Sequence, residues 1–161
     1  MKTAGLMKWA SAVLAAGVVA AGAAHGATTA AKTKKADELA AKSAVLGTAF
    51  PDKPYVLQDD GVYADYMAAV AREHGRKCKA LESFGWDLKI GDQARLTQIV
   101  DVTMDAVQKD GFKAEQISAK AAEGTQAVVI NATKAKKQGI IVWAPVGKGV
   151  VLLICDAVPG K

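Results

Sequence analysis

The sequence predicts a two-layer α+β fold, in which an antiparallel sheet of about four or five strands ends in a C-terminal β-meander and packs against one long helix plus an N-terminal helix. Three observations carry this reading. Residues 126–133, 139–145 and 149–156 are apolar and rich in β-branched residues, and the connections TKAKKQG and VGKG between them are short enough for hairpins. Residues 92–110 repeat apolar side chains with a helical period, and 62–75 do so over a shorter span.

Taken in order, the first 26 residues are MKTAGLMKWASAVLAAGVVAAGAAHG. Two lysines precede an Ala- and Gly-rich apolar run that ends in small residues, the layout of an export signal and short for a membrane span of about 20 residues. Cleavage is expected after Gly26, with Ala24 as the alternative site. His25 then leaves with the signal, so His74 becomes the sole histidine of the mature chain. Residues 27–35, rich in Ala, Lys and Thr, form a flexible leader. A single α+β domain is expected over 36–161, and its location is exported, periplasmic or extracellular.

Within that domain, 36–46 are good helix formers with Leu39 and Leu46 a heptad apart and Gly47 as a stop, which predicts a short docked helix. FPDKPYVLQDDG, with two prolines, reads as an irregular connection. Tyr63, Tyr66, Met67, Val70 and His74 then fall on one helical stripe, and Gly75 suits the residue after a helix end. Past it, Lys77, Lys79, Leu81 and Ser83 alternate with Cys78, Ala80, Glu82 and Phe84, a strand ending near Gly85 in which Glu82 sits awkwardly on the more apolar face. Asp92 is a good N-cap for the long helix, whose stripe is Leu96, Ile99, Val100, Thr103 and Val107, closed by Gly111. Residues 112–119 form an edge strand. Residues 150–154 are apolar on both faces, which places that strand inside the sheet with one face on helices and the other partly covered.

The charge balance excludes little. The chain has 21 Lys and Arg against 16 Asp and Glu, and loss of Lys2 and Lys8 with the signal leaves about +3. Cations and acids are interspersed, unlike the concentrated basic face of a nucleic-acid binder, so no nucleic acid is expected as a partner. The denser basic points are Lys32, Lys34 and Lys35, then Lys134, Lys136 and Lys137. They read as a solvated tail and a turn, against docking patches for anionic lipid or polysaccharide.

Two cysteines, Cys78 and Cys155, are the chief chemical feature. In an exported chain an even, minimal count favours one disulfide, with about 4 to 5 kcal/mol of chain-entropy stabilisation for a loop of this length. Two buried free thiols, or a functional thiol, are the other readings. In the sharpest form of the last, His74 is the base for a Cys78 nucleophile, Asp156 or Glu82 orients the ring, and Arg76, Lys77 and Lys79 lower the thiol pKa. Against it stand Gly75 between the two residues and the lack of any cysteine-hydrolase signature. A histidine in a last helical turn also serves simply as a partner for the helix C-terminus.

Neither C-x-x-C, H-x-x-x-H nor C-x-x-C-H occurs, so no metal or cofactor is expected, and a ligand set of His74, Cys78 and Cys155 is what would have to hold one. Asp59 and Asp60 lack calcium-loop spacing. VGKG lacks the phosphate-loop pattern and leads into a strand, so Gly147 and Gly149 are turn residues. Phe84, Trp86 and Trp143 either finish the core or form an aromatic recognition surface beside a sheet edge.

The expectation that follows is a small exported, disulfide-stabilised protein of the cell envelope, acting without catalysis as a binding, accessory or inhibitory module. Its partner is an unknown protein or envelope component, and it meets the membrane only through the signal before cleavage. The alternative is a thiol-dependent enzyme or metal binder centred on His74 and Cys78.

Overall fold

A computed structural model describes residues 38–58, 61–89 and 91–160. The expected signal and the leader to residue 35 lie outside this range. The elements run β1 (Tyr55–Val56), α1 (Val62–Glu73), β2 (Arg76–Asp87), α2 (Gln93–Lys109), β3 (Lys113–Ile117), a 3₁₀ turn (Lys120–Ala122), β4 (Val128–Lys134), β5 (Lys137–Val146) and β6 (Gly149–Pro159). The fold is α+β, with one six-stranded sheet in the order β1-β2-β6-β5-β4-β3, every neighbouring pair antiparallel.

That order explains the connections. The path from β2 to β3 runs from one side of the sheet to the far edge by way of α2, and β3 to β6 then return as a meander until β6 meets β2. Asp92 caps α2 as its sequence position suggests, its carboxylate accepting from the Arg95 amide at 3.0 Å. Gly75, at φ +64, occupies the left-handed position after α1.

Two layers are one too few. Alternate residues of the central strands enter two separate cores. Ile141, Trp143, Val150, Leu152 and Ile154 join Ile99, Met104 and Val107 of α2 together with Val45, Leu46 and Phe50. Ile140, Val142, Val151, Leu153 and Cys155 join Met67, Val70 and Ala71 of α1. The helices therefore cover opposite faces of the sheet. A strand apolar on both faces requires this, since an uncovered face of β6 would leave Val151 and Leu153 in water.

The expected N-terminal helix is also corrected. Its described part is extended and turned: Leu39 bridges to Tyr55 and Lys42 to Ala49. Ser43 begins a turn in which the Gly47 amide donates to the Ser43 carbonyl at 2.8 Å. Helix propensity loses to tertiary partners here. The Glu82 carboxylate accepts from the Ser43 hydroxyl at 2.5 Å and from the amides of Ala44 and Val45 at 2.7 and 3.1 Å. These groups could not converge on one carboxylate from a continuous helix. Nor does the heptad pair share a face, because Leu46 is buried and Leu39 is 51% exposed.

The sheet is larger than expected because β1 is only two residues long, below the length at which alternation can be recognised, and lies within the proline-bearing connection.

Candidate functional site

Cys78 and Cys155 are joined in a disulfide, with their Cα atoms 5.4 Å apart. The strict alternation of β2 would not allow this. It places Cys78 on the face of Glu82 and Phe84, whereas Cys155 belongs to the α1 face. The register shifts between Cys78, paired with Ala157, and Ala80, paired with Asp156. Lys79 is thus an extra residue, and this bulge turns Cys78 over onto the α1 face while Glu82, Phe84 and Trp86 stay on the α2 face.

The bridge removes the nucleophile from the thiol-centred reading, since a bridged sulfur has no proton to lose and no lone thiolate to attack with. Its expected helpers are dispersed as well. Glu82 is engaged by the turn at Ser43. His74 is the C-cap of α1, its amide donating to the Ala71 carbonyl while the next amide, that of Gly75, donates to Arg72, and its buried Nε2 has no hydrogen-bond partner. Among the described residues no three His, Cys, Asp or Glu side chains gather closely enough to hold a metal ion.

The aromatic trio is assembled, but inside. Phe84, Trp86 and Trp143 are 3%, 6% and 3% exposed beneath α2 and the N-terminal segment. Trp86 stacks on Trp143 with centroids 5.5 Å apart, Phe50 meets Phe84 edge-on at 4.8 Å, and the Trp86 indole donates to the Asp52 carbonyl at 3.2 Å. They fill the α2-side core, so the surface reading of these residues is corrected to a packing one. The small N-terminal segment brings only Phe50 of comparable bulk to that core.

The open concavity of interest is elsewhere, at the end of the sheet where β5 begins and β6 finishes. The β5–β6 ladder stops at the pair Gly139 and Asp156. Beyond it, β6 continues along β2 through Ala157, Val158 and Pro159, while Lys137 and Gln138 of β5 stay paired with β4. The strands diverge into a notch of about 480 Å³, lined by Arg76 and Lys79 on the β2 side, Lys136, Lys137 and Gln138 on the β4–β5 side, and Asp156 to Pro159 between them. Pro159, with no amide hydrogen, suits a strand end whose second edge is unpaired.

Local geometry brings each cation there. Lys79 is the bulged residue of β2, and Arg76 opens that strand. Lys136 belongs to the two-residue turn between Lys134 and Lys137, in which Ala135 has φ +51, a conformation costing an L-residue about 1–2 kcal/mol. Lys134 is directed away, donating to the Asp110 carbonyl and covering the Phe112 ring at 5.5 Å. The run Lys134, Lys136, Lys137 is therefore split, and two of its members join cations from a segment some sixty residues earlier.

No family model matches this chain, and no curated protein or solved structure does so significantly. Chemistry alone has to identify the notch. Four cations face one carboxylate there, against 21 and 16 for the whole chain. None of the four forms an ion pair among the described residues. Four like charges gathered around a single carboxylate favour an anionic ligand and repel a cationic one. The sequence showed both basic groups, one as neighbours of Cys78 and one as a turn; nothing in it showed that they meet.

Proposed function

We propose that this chain is a small exported, disulfide-crosslinked protein of the cell envelope that acts without catalysis as a binding or accessory module, with the basic notch as its contact surface for an anionic envelope component. The notch is the observation that carries the reading: four cations and one carboxylate around a cleft of about 480 Å³. The export-signal pattern of residues 1–26 supports the location, and the Cys78–Cys155 bridge is in keeping with an oxidising compartment.

Expression with its own N-terminus, followed by fractionation, tests this. The protein is expected outside the cytoplasm with zero free thiols, sedimenting with envelope fragments at low salt and released at high salt. The variant R76Q/K79Q/K136Q/K137Q is expected in the supernatant. Sedimentation that ignores both salt and the four substitutions would reject the notch as the contact surface, and retention in the cytoplasm would reject the exported role.

A further inference from the structure

Resting on that reading, we infer that the notch is a two-walled clamp for linked phosphates: an extended anion carrying several phosphate groups, held between β2 and the β4–β5 turn. Three features of the site lead there.

The first is size against charge. A cleft of about 480 Å³ lies within the range of ligand sites, roughly 300–1,000 Å³, and is far larger than one inorganic anion. A single small anion would leave cations on one wall unneutralised. An extended ligand with several charges meets Arg76 and Lys79 on one side and Lys136 and Lys137 on the other.

The second is the direction of the donors. Arg76 and Lys79 belong to β2, while Lys136 and Lys137 belong to the turn and the start of β5 on the other side of β6. A group bridging the two walls needs acceptors that diverge. Phosphate offers several oxygens in a tetrahedral arrangement, whereas a carboxylate has two in one plane and pairs best with a single fork on one side.

The third is the type of cation. Three of the four are lysines, which bind phosphate as point charges with freely rotating donors, and a lone arginine adds a planar fork. Asp156 sits between the walls as the one opposing charge. It disfavours an anion at the floor of the cleft and so sets affinity below its maximum, which gives the clamp a substitution of opposite sign to the others.

Calorimetry on the purified oxidised protein tests the clamp with three probes: tripolyphosphate, orthophosphate and butanetetracarboxylate. Tripolyphosphate is expected to bind at least about tenfold more tightly than either of the others. Its affinity is expected to fall as the salt concentration rises, because the cations engaged are exposed and screened. R76Q, K79Q, K136Q and K137Q should each weaken tripolyphosphate binding and flatten the slope of that salt dependence, and D156N should raise affinity severalfold. All five positions lie at the surface or near it, and an unchanged unfolding midpoint confirms that each variant is folded.

Equal or tighter binding of the tetracarboxylate would overturn the phosphate assignment. Failure of tripolyphosphate to bind, or a slope indifferent to all four substitutions, would overturn the clamp itself, even if salt-released sedimentation with the envelope persists through another ligand. Phosphatidylcholine vesicles containing phosphatidylglycerol separate two sources of the same chemistry. Uptake onto them that tripolyphosphate displaces assigns the phosphates to a lipid surface; tripolyphosphate binding with no vesicle uptake assigns them to a free or polymeric phosphate. Both results support the clamp.

Discussion

Glu82 shows how a residue that spoils a strand pattern organises its surroundings. On β2 its neighbours on the same face are Phe84 and Trp86, both core residues, and a carboxylate there has to be paired to be tolerated. It is paired three times, with the Ser43 hydroxyl and the amides of Ala44 and Val45, and Ser43 Oγ in turn accepts from the Leu46 amide at 2.9 Å. One side chain thereby holds the N-terminal turn against the sheet and lowers Val45 and Leu46 into the α2-side core. Truncation, Glu82→Ala, leaves those donors without an acceptor. A loss of about 2–3 kcal/mol is expected in urea unfolding, with the residues around Ser43 losing amide-exchange protection first. A loss under about 0.5 kcal/mol would show that the turn holds its shape without Glu82.

The elements around α1 depend on a second carboxylate. Glu73, in the last turn of α1, accepts from the Lys120 and Ala121 amides at 2.5 and 2.9 Å and so caps the 3₁₀ turn that α1 lies against. The Lys120 amide is the main reason its pKa is held below the ordinary glutamate value of 4.5, followed by the Ala121 amide and the charges of His74 and Lys120. The group is exposed and its folded-state pKa is lowered. Its contribution is therefore present above 4.5 and is lost as the pH falls through the lower folded-state value. Melting temperatures of the protein and of Glu73→Gln are expected to differ at pH 7 and to converge as the pH drops below 4.5. A difference that stays constant to pH 3 would show that the carboxylate's charge has no part in holding the 3₁₀ turn. Tyr66 has its pKa raised, first by burial and then by the negative charge of Glu73.

For the whole molecule, the bridge between β2 and β6 joins the strand that precedes α2 to the last strand of the meander, so it spans the crossover and the whole return path. With a sequence separation of 77, the chain-entropy model gives about 4–5 kcal/mol, large beside the roughly 5–15 kcal/mol of a typical domain. The variant C78A/C155A is expected to lose about 2–5 kcal/mol in denaturant unfolding while keeping the sheet signature in circular dichroism. Unchanged stability would show that the long loop is already restricted in the unfolded chain. Much of the architecture was legible in the residues. The stripes of 62–75 and 92–110, the cap Asp92 and the three C-terminal strands follow from local chemistry, because a period of 3.6 or 2 needs only near neighbours to declare itself. The two cysteines were legible as a candidate pair from their even, minimal count. Three features were not. The second covered face depended on where α1 and α2 land; the turn at Ser43 depended on a carboxylate about forty residues away; the notch depended on two basic segments meeting where a ladder ends. The bulge at Lys79 joins the two levels. By itself the sequence determined that Cys78 lies on a strand after the first helix and Cys155 on the last strand, and it left open whether they meet. Only the tertiary structure decided which face each sulfur takes, because one extra residue in a strand reverses every side chain beyond it, and nothing local to that strand shows which register its partner will accept.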